Sequence, residues 1–156
     1  MTPRITIRIQ AEAFDIAKET EALHAPEEDV GAVSTFIGYC RSEGGRLSAL
    51  ELEHYPGMAD EEIKRVVDDA LKRWPLSAIC VIHRFGIMKP GDGIVFVGTA
   101  SAHRAEAFAA CEFLMDYLKT RAPFWKKEHR VDGTSGDWVE AKADDDAAAA
   151  RWGKKA

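Results

Sequence analysis

Alternation of apolar and polar residues marks the first strand of this chain. Ile5, Ile7 and Ile9 are separated by Thr6 and Arg8, and a period of two residues is typical of a half-buried strand. Further segments alternate in the same way or are rich in strand-forming residues. These predicted strands are residues 30–40, 47–55, 78–85, 94–102, 124–130 and 138–141.

Helical spacing predicts two main helices and one short one. The short helix begins at Asp15 and runs to about Leu23, and the second covers residues 58–74, where apolar residues recur on one helical face. The longest covers residues 104–121 and is followed by Pro123, which requires an extended exit. Its apolar side consists of Ala107, Phe108, Cys111, Leu114, Met115 and Leu118.

Glycine-rich and proline-rich turns predict how the strands are joined. Residues 42–46 read as an exposed loop between two strands, and residues 89–93 and 132–136 have the same turn chemistry. We therefore expect three β-hairpins and an α+β fold with mostly antiparallel sheet and two main helices. Residues 1–141 are expected to form a single domain, and residues 142–156 a tail that forms a short docked or frayed helix.

Composition narrows the possible functions. A chain of 156 residues, 46% of them hydrophobic, fits one domain with a sizeable core. A net charge of -5 argues against general nucleic-acid binding. Neither a dinucleotide-binding glycine motif nor a phosphate-binding loop is present, so no nucleotide cofactor is expected.

The cysteines and the amino terminus indicate the compartment. Cys40, Cys80 and Cys111 are odd in number and far apart, which fits a reducing compartment and gives no zinc site or disulfide framework. The first residues lack the apolar segment of a signal peptide. We expect a cytoplasmic protein without a metal.

Residues 116–128 hold the strongest candidate chemistry, because basic residues there surround aromatic ones. Lysine becomes an acid, a base or a nucleophile where a nearby cation or a dry pocket lowers its pKa. Lys119 lies in the last predicted turn of the long helix, and Lys126 follows in an extended segment. Lys126 and Glu128 should share one face of that segment while Lys127 lies on the other. A turn back at the proline would bring Lys126 close to Lys119.

A second cluster, His103 and Arg104, lies where the long helix begins. Helix amino termini favour anions, so the pair is a candidate phosphate or carboxylate site. The alternative, which these residues taken alone favour slightly, is that Ser101 merely caps the helix while Arg104 lies on its solvated face. Arg41, at the end of a strand, could also reach an anion. His54 could supply an acid or base, but a structural histidine beside a turn is the better interpretation.

Helix length separates the two clusters. The fifteen residues from Arg104 to Lys119 span roughly 22 Å at about 1.5 Å per residue. One small substrate cannot easily contact both ends within one chain. If both belong to one site, His103 and Arg104 must come from a second subunit, and a symmetric homodimer would hold two composite pockets.

Seven segments taken together resemble one enzyme family, the catalytic large subunits of molybdopterin synthase. They are GAVSTFIGYCR (31–41), LEHYPGM (52–58), VIHR (81–84), PGD (90–92), SAHR (101–104), MDYLK (115–119) and PFWKKE (123–128). The resemblance runs from about Ile5 to Trp152. It implies an α/β-hammerhead fold and a central homodimer with a small ubiquitin-like sulfur-carrier subunit at each end, a heterotetramer.

The resemblance also implies the reaction and the site. The carrier's C-terminal thiocarboxylate gives sulfur to cyclic pyranopterin monophosphate, and two transfers form the dithiolene of molybdopterin. Lys119 and Lys126 match the family's catalytic lysines, with their division of labour and a transient covalent lysine adduct left open. The residues matching or flanking substrate-binding positions are Tyr39, Cys40, Arg41, His103, Arg104, Lys127 and Glu128.

Two other interpretations compete with this one. Cys40 beside Arg41 could carry a persulfide, although a buried strand cysteine is the simpler interpretation. The chain could also be a noncatalytic anion-binding scaffold, since cationic pockets need not perform chemistry.

Overall fold

The structure is a computed structural model that describes residues 2–25, 28–121, 124–139 and 149–153. Within those ranges it contains seven strands and three helices. In chain order they are β1 (Arg4–Gln10), α1 (Ile16–His24), β2 (Ala32–Tyr39), β3 (Leu47–His54), α2 (Met58–Arg73), β4 (Ala78–Arg84), β5 (Gly86–Met88), β6 (Gly93–Ser101), α3 (Arg104–Thr120) and β7 (Phe124–Arg130).

The strands form two sheets. The larger has the order β1-β4-β6-β2, with β1 and β4 parallel and the remaining pairs antiparallel. The smaller has the order β5-β3-β7 and is antiparallel throughout. The predicted α+β class with mostly antiparallel sheet is confirmed.

The predicted hairpin between β2 and β3 is wrong. β2 pairs with β6 in the larger sheet, whereas β3 pairs with β5 and β7 in the smaller one. The loop between them redirects the chain, because Glu43, Gly44 and Gly45 all have positive φ. Alternation shows which face of a strand is buried, but it does not specify the strand's partner.

The predicted pairing of β4 with β6 is confirmed, but the segment that joins them was not foreseen as a strand. Residues 86–88 leave the larger sheet and pair with β3 as β5. Gly86 has a φ of 96°, a conformation that favours glycine. This crossover binds the two sheets together.

The predicted last hairpin is only partly regular. After β7 the chain returns through two isolated bridges, Lys126 with Val139 and His129 with Ser135. Residues 140 and 141 of the predicted strand lie outside the described residues.

The core lies on both faces of the larger sheet. α2 and α3 cover one face with a cluster that includes Ile63, Phe113 and Leu114, and α1 covers the other with Leu23, which packs near Phe96. Both central strands, β4 and β6, are therefore apolar on both faces. Of the three helices described, none is both long and apolar enough to cross a membrane.

Part of the predicted tail packs against this core. Ala149 is buried, and the indole of Trp152 lies against Trp74 and Phe113 at ring-centroid distances of 5.8 and 5.6 Å. The Trp152 Nε1–H donates to Asp116 Oδ2 at 2.6 Å. Residues 140–148 and 154–156 of this region lie outside the described residues.

Candidate functional site

A groove of about 410 Å³ opens where the two sheets meet the carboxyl end of α3. Its walls come from the end of β2, the facing strands β3 and β7, the start of β6, and the segment that follows β7. The lining residues are Tyr39, Cys40, Arg41, Glu43, Leu47, Leu50, Ile94, Lys119, Lys126, Glu128, Arg130, Gly136, Asp137 and Val139.

Both predicted lysines lie on the wall of this groove. Lys119 stands in the last turn of α3, where the helix dipole favours a cation. Lys126 is the third residue of β7, and its backbone exchanges hydrogen bonds of 3.0 and 2.8 Å with Val139. The two lysine side chains therefore line one groove, one from a helix and the other from a strand.

The two faces of β7 differ as the alternation predicts. Lys126, Glu128 and Arg130 line the groove. Lys127 lies on the other face, where its Nζ is 5.7 Å from the ring centroid of Trp138. Lys127 is thus placed away from the groove, unlike the other residues predicted on this strand.

Carboxylates at the groove mouth hold several arginines. Glu128 Oε1 accepts a hydrogen bond of 3.1 Å from Arg46, and Arg130 lies 3.9 Å away. The hydrogen bond from Arg46 is the main cause that holds the pKa of Glu128 below its ordinary value. Arg41 pairs with Glu43 at 2.8 Å, and its side chain remains largely exposed. An anion entering the groove would meet Arg41 beside a carboxylate rather than alone.

Tyr39 and Cys40 line the same groove but differ in exposure. Tyr39 is exposed, whereas Cys40 is 3% exposed and its Sγ lies 3.7 Å from the Met88 carbonyl oxygen. Burial is the main cause that raises the pKa of the Cys40 thiol. A thiol in this environment is mostly protonated and therefore a poor sulfur nucleophile.

His103 and Arg104 lie at the opposite end of α3 and are exposed. They are not among the groove residues, because one continuous helix separates them from Lys119. Ser101 does not cap α3: it is buried and donates to the Pro75 carbonyl oxygen at 2.8 Å, and the N-cap residue is His103, which makes no capping side-chain bond. Ser101 as the helix cap is therefore wrong, whereas Arg104 is exposed, as that alternative expects.

Sequence reasoning missed eight groove residues: Glu43, Leu47, Leu50, Ile94, Arg130, Gly136, Asp137 and Val139. Extending the alternation of Lys126 and Glu128 by two residues would have found Arg130. The others enter from separate segments that meet only through the two-sheet arrangement. Among the described residues, no group of three or more His, Cys, Asp or Glu side chains is placed to hold a metal ion.

A ring stack next to the groove was also missed as a group. His83 lies face to face with Phe124, with ring centroids 3.7 Å apart and planes 15° apart. Burial lowers the pKa of His83 to about 4, with smaller contributions from the charges of His54 and Lys119. His83 is therefore uncharged near neutral pH.

Comparison with known proteins places the chain in a family. The family model described as MoaE protein matches residues 9–121. A molybdopterin synthase catalytic subunit from Mesorhizobium japonicum is 61% identical over 94% of this chain and 92% of its own length. One from Rhizobium meliloti is 57% identical over 99% and 100%. The solved structure of a molybdopterin biosynthesis MoaE protein from Burkholderia ambifaria has a TM-score of 0.83 at 47% identity, over 97% of this chain and 99% of that one.

These likenesses cover nearly all of the chain and include both the sequence and the fold, so the chain belongs to the MoaE protein family, whose similar relatives are catalytic subunits of molybdopterin synthase.

Proposed function

We propose that this chain is the catalytic subunit of a molybdopterin synthase, a sulfurtransferase. It takes sulfur from the C-terminal thiocarboxylate of a small carrier subunit and places it on cyclic pyranopterin monophosphate. The observation that carries the proposal is the groove in which Lys119 and Lys126 converge from α3 and β7.

The chemistry needs little more than orientation, charge neutralisation and proton management. The thiocarboxylate sulfur attacks a pterin carbon, and an oxygen leaves that carbon with a proton. Water then cleaves the acyl–sulfur bond, which frees the carrier as a carboxylate and leaves the sulfur on the pterin. A second cycle with a fresh carrier completes the dithiolene.

Two ammonium groups suit these steps. We assign Lys126 to activation of the pterin or protonation of its leaving oxygen, and Lys119 to the incoming carboxylate or to proton transfer. Glu128, beside Lys126 on β7, holds Arg46 at the groove mouth. Tyr39 and Arg41 also line the groove and would contact the carrier tail or the pterin.

The site is composite in this proposal. His103 and Arg104 lie a full helix length, roughly 22 Å, from Lys119. Their placement supports a homodimer in which they hold the substrate's phosphate over the partner's groove. With one carrier at each groove, the assembly would be a heterotetramer. The free cysteines fit a cytoplasmic enzyme.

Reconstitution tests the function directly. Purified chain, thiocarboxylated carrier and pterin precursor are mixed, and molybdopterin is measured. Lys119→Ala and Lys126→Ala should each lower the transfer rate at least about 100-fold, because each removes a group acting in the transition state. Lys64→Ala, an exposed lysine on α2, is the matched control. Full transfer by either groove variant would contradict the assignment, and no product with wild-type chain would point to a noncatalytic scaffold.

Subunit mixing tests the composite site. Lys119→Ala and His103→Ala homodimers should each be nearly inactive. A mixed dimer has one pocket with both changes and one with neither, so mixing should restore up to about half of the wild-type rate per mixed dimer. No recovery on mixing would place both residues in one chain's site.

A further inference from the structure

A stack of aromatic rings joins the two sheets. Phe124, the first residue of β7, lies 3.7 Å from the ring centroid of His83 on β4 and 5.8 Å from that of His54 on β3. His54 in turn lies 4.8 Å from the Phe85 ring. The stack therefore connects β4 of the larger sheet with both long strands of the smaller one.

His83 has a fixed orientation within this stack. Its Nδ1 is 2.8 Å from the carbonyl oxygen of Arg84, so Nδ1 carries the hydrogen and donates it. The Arg84 side chain is itself tied to the carbonyl oxygens of Ala11 and Gly93, at 2.9 to 3.1 Å. The hydrogen bond from His83 Nδ1 and the nearly parallel contact with Phe124 together restrict rotation of the imidazole ring.

The same ring adjoins both lysine-bearing elements. Phe124 is two residues before Lys126, a distance of about 6.6 Å along a strand. The charge of Lys119, on α3, makes a small contribution to the lowered pKa of His83. His83 is not among the described groove residues, so it reaches the site only through its neighbours.

We propose that His83 is a positioning residue: by stacking on Phe124 it fixes where β7 begins, and thereby sets the separation of Lys126 from Lys119. The proposal rests on the proposed function for its effect on sulfur transfer, but the geometric part stands on the stack alone. The flat ring supplies the contact with Phe124 that carries the positioning effect, and the Nδ1 hydrogen bond makes only a minor addition to it.

The uncharged state of the His83 ring also suits its position. His54 and Lys119 are the titratable groups that act on His83 from β3 and α3. A protonated His83 would place a further cation next to Lys119. Because the ring is uncharged near neutral pH, it adds no further positive charge to this region.

Two substitutions separate the ring from the donor. His83→Phe keeps a flat ring against Phe124 and loses the donor, whereas His83→Asn keeps a donor near Nδ1 and loses the ring. Val66→Ala, on the buried face of α2, is the control for lost stability alone. All three are compared with wild type by single-turnover sulfur transfer and by the yield of a Lys119–Lys126 link formed with 1,5-difluoro-2,4-dinitrobenzene.

The expected pattern is specific to positioning. His83→Asn should lower the rate at saturating substrate by about 10- to 100-fold while KM changes less than about threefold, since misplacement by about 1 Å has effects of that size. Its cross-link yield should change several-fold. His83→Phe should stay within about threefold of wild type in both measurements, and Val66→Ala should match wild type at a temperature where it is folded.

The other outcomes each contradict one part of the proposal. A His83→Asn variant with wild-type rate and cross-link yield, or one no more impaired than Val66→Ala, would overturn the proposal. Equal impairment of the Phe and Asn variants would overturn the role of the ring. If wild-type chain transfers no sulfur but the cross-link yields follow the expected pattern, the proposed function fails and the positioning role of His83 stands.

Discussion

His83 should make the stability of this protein depend on pH in a defined window. An unfolded histidine titrates at its ordinary value of 6.5, whereas burial lowers the pKa of His83 to about 4 in the folded chain. Below pH 6.5 the unfolded chain therefore takes up a proton that the folded chain does not, so lowering the pH favours unfolding. The stability that the uncharged His83 contributes is fully present above pH 6.5 and is lost as the pH falls to about 4.

The size of the effect follows from the two pKa values. Their difference, at about 1.36 kcal/mol per pKa unit, corresponds to about 3 kcal/mol across the whole window. Between about pH 7.5 and about pH 5.0 the loss is about 2 kcal/mol. That is a substantial part of the net stability of a typical domain, about 5–15 kcal/mol.

Urea unfolding at these two pH values measures the effect. The protein concentration is held constant, because association would add to the apparent stability. His83→Phe cannot titrate at this position, so its unfolding free energy should fall by about 2 kcal/mol less than that of wild type over the same interval. His24→Gln, which removes an exposed histidine from the last turn of α1, is the matched control and should follow wild type closely.

Comparing how the unfolding free energy changes with pH cancels the contributions of the titrating groups that the compared proteins share. Equal pH dependence in wild type and His83→Phe would mean that His83 is solvated or charged in the folded state. That result would refute both the desolvation of the half-buried His83 ring and the argument that this ring adds no positive charge near the groove.

Three further results are expected. Gly31→Ala should lower the unfolding free energy by about 1–3 kcal/mol, because a Cβ there would lie 2.2 Å from the Ala102 carbonyl oxygen; an unchanged urea midpoint would contradict this close approach. Trp152→Ala should lower the unfolding free energy by about 3–5 kcal/mol through lost packing, whereas Trp152→Phe should lower it by only about 1 kcal/mol through the lost hydrogen bond to Asp116. Equal losses in the two variants would assign the effect to the hydrogen bond. Cys40→Ser should keep sulfur transfer within about threefold of wild type, because burial raises the pKa of the thiol and disfavours its nucleophilic form. Loss of transfer in a folded Cys40→Ser variant, with both lysine variants active, would instead favour the persulfide route.

The local order of the chain could be predicted from the sequence. The alternation of Ile5, Ile7 and Ile9 and the apolar spacing of residues 58–74 correspond to β1 and α2 within one or two residues. These patterns depend only on whether a side chain faces the core or the solvent, and that choice repeats with the period of each element. The convergence of Lys119 with Lys126 was predictable for the same reason, since a helix end, a proline and a strand follow one another directly.

The partners of the strands were decided by tertiary structure. β2 and β3 are neighbours in the chain with matching strand patterns, yet they lie in different sheets, because pairing depends on which edges remain available once β5 and β7 flank β3. Long-range packing also placed His83 against Phe124, and it brought Glu43 and Asp137 into the groove. The sequence by itself determined which segments are helix or strand and where the two lysines meet. Only the fold, which brings residues distant along the chain into contact, decided which residues surround the lysines and which rings stack between the sheets.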